Sequence, residues 1–199
     1  MKKIIIFNTL LVLAMVITGI YYISLYDDIS KNIVRLHVIS NSNSEEDTEI
    51  KLLVRDKILD EVRDRIDKKS TRQEVLNSLE DMEKSANEYL KSQNIGYGAE
   101  ISLGNTDIVR KEYNGIILPE GEYLAIRVVL GEGKGENWWC VAYPPLCFTE
   151  NTTGEISSEG EKLLRGTMSD ESYRLITSDI KYEFKILELA KKIVKALQK

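Results

Sequence analysis

The chain has 199 residues, 30% of them charged, with 27 basic against 32 acidic side chains, one histidine and two cysteines. A net charge of −5 argues against nucleic acid as a partner, because phosphate binding needs a basic stripe. The cysteines are too far apart, and histidine too scarce, for the paired ligands of a zinc site, so neither metal nor other cofactor is expected.

The first residues, MKKIIIFNTLLVLAMVITGIYYISLYDD, put two lysines ahead of an apolar run that carries no charge from Ile4 to Leu25. A basic start followed by such a run reads as a signal peptide or signal anchor over residues 1–26. Lys2 and Lys3 stay on the cytoplasmic side and residues 27–199 cross as one exported domain. Thr18-Gly19-Ile20 is a poor cleavage site and no Ala-x-Ala follows. Cleavage between Gly19 and Tyr26 and retention as an anchor are both compatible with the sequence. Tyr21, Tyr22 and Tyr26 suit the far interface. Without Lys2 and Lys3 the exported part holds 25 basic against 32 acidic side chains. Such a domain is repelled by an anionic membrane surface, so its expected partner is a protein, with the membrane touched only through the N-terminal segment.

IVRLHVIS, residues 33–40, alternates Val34, Leu36 and Val38 with Arg35 and His37, the pattern of a strand with one core face. NSNSEED is a loop whose Ser44 or Asp47 can cap the helix expected over 46–66, which places Ile50, Leu53, Val54, Ile58, Val62 and Ile66 at helical spacing. A second helix is expected from Ser70 to about Asn94, with Val75, Leu79, Met82, Ala86 and Tyr89 or Leu90 on its inner face. From Gly96 the period changes to two. GAEISLG, TDIVRKEYNG and GEYLAIRVVLG read as three strands, most simply joined as a meander. GEGKGE is a turn, since no phosphate-loop pattern accompanies its glycines. Residues 150–172, polar and rich in serine and glycine, read as a mobile loop. DIKYEFKILELAKKIVKALQK ends the chain as a strand and a helix. The fold class expected is α+β: a membrane-directed helix, then one domain with an antiparallel sheet covered by helices.

NWWCVAYPPLCF, residues 137–148, holds both tryptophans and both cysteines. In a strand Trp138 and Trp139 point to opposite faces, so one enters the core and the other needs a separate cover. Pro144 and Pro145 remove two amide donors and end any ladder. Cys140 and Cys147 are candidates for one disulfide in an oxidising compartment, closing a small loop around the prolines. Two readings follow: a preorganised aromatic patch that anchors a protein partner, or a cross-linked corner of the core. His37 with Cys140 or Cys147 as a thiol nucleophile and base, in an exported hydrolase, is the alternative chemistry. Neither cysteine sits in a nucleophile motif, so no catalytic residue is assigned and no small-molecule substrate is expected.

RLHVISNSNSEEDTEIKLLVRD, Arg35 to Asp56, and LPEGEYLAIRVVLGEGKGENWWCVAYPPLCF, Leu118 to Phe148, resemble the stage II sporulation protein R family of endospore formers. The family usually reads H-V-I-A-N-S-D where this chain has His37 to Asn43, so a carboxylate is missing at position 43. Ala142 and Tyr143 replace leucine and phenylalanine. The resemblance implies a signalling protein that is made in the forespore, exported into the space between the two membranes, and not itself an enzyme. Its implied partner is a membrane-bound aspartic protease on the mother-cell side, which then processes the mother-cell sigma-factor precursor. The residues expected at the contact are Trp138, Trp139, Tyr143, Pro144, Pro145, Arg35 and His37, with Cys140 and Cys147 as scaffold.

Overall fold

The computed structural model describes residues 1–67, 72–113, 115–144, 146 and 158–178. The elements in chain order are α1 (Lys2–Asn32), β1 (Val34–Ile39), α2 (Glu45–Asp67), α3 (Arg72–Leu76), α4 (Leu79–Ser92), β2 (Ala99–Ile108), β3 (Lys111–Tyr113), β4 (Ile116–Leu118), β5 (Gly121–Leu130), β6 (Asn137–Tyr143), α5 (Ser158–Thr167) and α6 (Asp170–Thr177). The α+β class holds, and the sheet is mixed.

Strand β1 lies inside the main sheet, whose order is β2-β5-β1-β6. It runs parallel to β5, with Leu36 opposite Ile126, and antiparallel to β6, with His37 opposite Trp139. All six of its residues are buried. The alternation read as a strand with one core face thus belongs to a strand covered on both faces, as expected of a strand with a parallel neighbour. The meander is not formed. β2 pairs directly with β5 over ten residues, from Ala99 opposite Leu130 to Ile108 opposite Gly121, and β3 and β4 make a separate hairpin between them. The stretch read as one strand, TDIVRKEYNG, is thus divided between the end of β2 and β3.

On one face, α2 and α4 cover a core of Val34, Leu36, Val38, Ile126, Val128 and Ala142 with Val54, Ile58, Met82 and Ala86. The second helix expected from the sequence is broken: the Ser78 hydroxyl donates to the Val75 carbonyl (2.7 Å) between α3 and α4. Asn94 ends the helical region at φ 58°, a left-handed conformation that asparagine tolerates. On the opposite face, Tyr123, Val141, Ile108 and the β4 residues meet Leu25, Ile29, Ile33, Leu164, Leu175 and Ile176. Residues 158–172, expected to be mobile, are largely helical, because Leu164 of α5 and Leu175 and Ile176 of α6 cover this second core while their polar faces point outward. The expected terminal strand and helix, 179–199, lie outside the described residues, as does 150–157 of the expected loop.

The end of α1 is part of the second core. Ile29 and Ile33 are completely buried and Leu25 is 8% exposed. Burying an aliphatic side chain of this size contributes roughly 1.5–3 kcal/mol. Ile29→Ala in the full chain is therefore expected to cost about 2–5 kcal/mol, read by urea denaturation in detergent. Leu11→Ala, in the exposed part of the same helix, is expected to leave the midpoint unchanged.

Candidate functional site

Parallel pairing of β1 and β5 sends the loops that follow both strands to the same end of the sheet. There the segment 40–47 and the loop 131–136 interlock. The backbone amide of Lys134 donates to Asn41 O (3.0 Å), that of Gly135 to Ser40 O (2.9 Å), and that of Glu132 to Asn41 Oδ1 (2.9 Å). Gly131 is at φ 54°, where a Cβ would sit 2.3 Å from Asn41 Oδ1. At Gly135 a Cβ would lie 2.2 Å from the Ser42 carbonyl oxygen, which is backbone and cannot rotate away. The glycines that read as a turn are thus required for close approach of two chain segments.

Asp47 ties this junction to α2. Its carboxylate accepts from Asn41 Nδ2 (2.9 Å), Ser42 Oγ (2.5 Å) and the Tyr97 hydroxyl. Ser44 is the helix cap, accepting from the Asp47 amide at 3.1 Å. Burial opposes ionisation of Asp47, but hydrogen bonds from Ser42, Tyr97, Asn41 and Ser44 outweigh it and hold the carboxyl below its ordinary value. Burial and the neighbouring Asp47 push the Tyr97 hydroxyl the other way, so it stays a donor. Lys51, one turn along α2 and 5% exposed, donates to Glu136 O at 3.2 Å.

The two tryptophans follow this junction into β6 and point to opposite faces, as their adjacency requires. Trp138 packs at the edge of the first core, with the Arg55 guanidinium 4.8 Å from its ring centre. Trp139 stacks on His37 at 3.5 Å and 12°. Both rings are half-buried. His37 Nε2 meets Asn137 Oδ1 at 2.6 Å, and His37 is 6% exposed. Burial lowers its pKa, the Asn137 contact works in the opposite direction, and Arg127 adds to the lowering. A histidine that binds its proton less readily when folded destabilises the fold as pH drops below its unfolded value. Stability should therefore rise with pH from the folded pKa up to about 6.5. His37→Phe is expected to flatten that part of a denaturation-versus-pH profile; an unchanged slope would show that the ring does not titrate on folding.

The other expected contact residues are less accessible. Arg35 is completely buried; its Nη2 donates to the Tyr113 hydroxyl (2.9 Å), and its guanidinium carbon lies 5.5 Å from the ring centres of Tyr113 and Tyr123. Burial disfavours its charge, and those two tyrosines work against that effect. Tyr143 is 9% exposed and Pro144 is buried. Pro145 and Cys147 lie outside the described residues. Cys140 is disulfide-bonded and 3% exposed.

The thiol-hydrolase alternative fails at Cys140. That residue is opposite Leu36 in the ladder, whereas His37 is opposite Trp139, so the two side chains occupy opposite faces of the sheet. A disulfide sulfur is also no thiolate nucleophile. Among the described residues no group of three or more His, Cys, Asp or Glu is placed to hold a metal. Sequence reasoning misses Asn41, Asn137, Tyr97 and Arg55. The first two are ordinary loop and strand-end residues in the sequence, and Arg55 is one cation in an alternating charged helix; only the packed register shows what they touch.

The arrangement is a rigid, hydrogen-bonded platform carrying two part-exposed aromatic rings. The family model for stage II sporulation protein R matches residues 30–153. A curated relative, stage II sporulation protein R of Bacillus subtilis (strain 168), is 32% identical over 132 residues, which cover 64% of this chain and 59% of the relative. The match thus spans about three fifths of that relative's length. No solved structure matches the chain. With the matched region running from the last turn of α1 through the interlocked loops and β6, the chain belongs to the stage II sporulation protein R family.

Proposed function

We propose that this protein is an exported signal of sporulation that activates a membrane-bound aspartic protease, which then processes the sigma-factor precursor of the mother cell. The observation that supports this most directly is the convergence of both family-like motifs on one end of the sheet, where they build a platform rather than a nucleophile and its base. Ser40, Asn41, Ser42 and Asp47 come from the first motif, and Gly131 to Trp139 from the second. Such a ligand acts by binding the active state of its target better than the inactive one. Trp138 and Trp139 are the accessible anchors; Arg35, His37, Tyr143 and Pro144 hold the surface that presents them, as does the disulfide at Cys140.

The apolar N-terminal part of α1 supports export: its most apolar 18-residue window has mean hydropathy 2.3 and no buried residue. Export across the forespore membrane places the domain in the same compartment as the extracytoplasmic part of the protease. Reconstituting the full chain with the protease and the precursor in vesicles tests the reading. Precursor cleavage is expected only when the chain is present, and cleavage at the same rate without it would remove the proposed function.

A further inference from the structure

Helix α1 combines two environments without a break. From Ile4 to Ile20 its large apolar side chains stay 51–65% exposed. From Tyr22 onward the same helix is docked. Tyr22 and Tyr26 pack against the second core, which includes Leu25, Ile29 and Ile33. The Tyr26 hydroxyl donates to Glu122 O at 2.9 Å, and its ring meets Tyr123 edge-on at 5.9 Å. Asp28 Oδ2 accepts from the Ser169 amide at 2.9 Å, and Leu25 O accepts from Ser172 Oγ at 3.4 Å. These contacts fasten α1 to α6 and β5, and no residue between Lys2 and Asn32 leaves the helix.

We propose that α1 is kept as an uncleaved signal anchor and that the exported domain acts as a membrane-tethered ligand, not a diffusible one. The ligand role rests on the function proposed above; the anchoring does not. Ile4 to Tyr21 is 18 residues, which at about 1.5 Å per residue span roughly 27 Å, close to the roughly 30 Å hydrocarbon core of a bilayer. Docking therefore begins where the bilayer ends, and Tyr21 and Tyr22 fall at the interface that tyrosine favours. The groove between α1 and α6, lined by Tyr21, Tyr22, Arg174 and Ser178 among others, lies at that same level. Signal peptidase needs small residues two positions apart. From Val16 to Asn32 the small residues are Thr18, Gly19, Ser24 and Ser30, and no two of them have that spacing. A cut beyond Tyr22 would also remove side chains of the second core from the domain. With no linker between span and domain, the tether fixes orientation as well as distance, so signalling requires the partner to be reached from the membrane surface.

The test follows the full chain, tagged at its C-terminus, in sporulating cells. The expected result is an intact chain of 22.7 kDa plus tag that resists alkaline carbonate extraction from membranes while precursor processing proceeds. A soluble, processed species lacking the N-terminal segment would overturn the anchor. A second variant, Thr18→Ala with Ile20→Ala, builds a small-x-small site just ahead of Tyr21 and keeps every docked residue. Its released domain should be folded and yet lower processing by about 100-fold, the loss of effective concentration on untethering. Full processing by the released domain would overturn the tethered-ligand claim. An intact, carbonate-resistant chain on which precursor processing does not depend would leave the anchor standing and remove the proposed function.

Discussion

Asp47→Ala is expected to lower the stability of the domain by about 3–5 kcal/mol, since hydrogen bonds to a charged group contribute roughly 1.5–3 kcal/mol each and their donors lose an acceptor. The carboxylate receives Asn41 and Ser42 from the loop after β1 and Tyr97 from the segment before β2. Without it, their donors remain partly buried and unpaired, and the loop 40–44 keeps only the Ser44 cap as its fastening to α2. Asp47→Asn should recover a minor part, because an amide oxygen still accepts while the amide nitrogen faces donors. The pH dependence gives a second reading. A carboxyl held below its ordinary 3.8 when folded adds stability that is complete above the unfolded value and is lost as pH falls through the folded one. Denaturation midpoints of the natural chain should therefore fall on acidification in that window more steeply than those of Asp47→Asn. Equal slopes, or an Asp47→Ala midpoint matching the natural one, would show that the network does not hold the junction.

The same junction marks the limit of what the sequence conveys. Alternation identifies β1 and β5, and helical spacing identifies α2 and the inner face of α4, because each pattern reports a single local period. The adjacency of Trp138 and Trp139 is enough to send them to opposite faces. What periodicity does not carry is pairing order. β1 lies between β5 and β6, and that long-range choice decides that segment 40–47 meets loop 131–136. Arg35 and His37 do lie on the second face of β1, but alternation does not say what covers that face; α1, α6 and the β3–β4 hairpin do. α5 and α6 escape the sequence for a related reason. Leu164, Leu175 and Ile176 are few among polar neighbours, and their value as a core stripe depends on the end of α1 lying opposite. The N-terminal helix is legible as a long apolar run compatible with a signal or anchor, while its end doubles as core only because Leu25, Ile29 and the adjoining Ile33 have something to bury against.

Trp138→Ala is expected to reduce precursor processing by about tenfold or more, a loss of about 1.4 kcal/mol or more in coupling to the target. The ring is half-buried, so part of its surface is already spent on the first core and on Arg55. Its removal should then cost the fold about 1–3 kcal/mol, less than the roughly 5–15 kcal/mol by which folded proteins are typically stable. An aromatic held by a cation on one side and a packed core on the other loses little freedom on meeting a partner, which is the property that makes such rings strong anchors. Arg55→Ala separates the two roles. It leaves the ring in place, so processing should fall less than with Trp138→Ala, while stability changes by about 0.5–1 kcal/mol for the lost cation–π contact. Trp139→Ala tests the opposite face, where stacking on His37 holds the second ring. Export and folding, followed by membrane fractionation and denaturation, must be unchanged in kind for each variant. Full processing by Trp138→Ala would sink the proposal that this face meets the protease, and a loss confined to Trp139→Ala would move the contact to the side of the sheet that α1 and α6 cover.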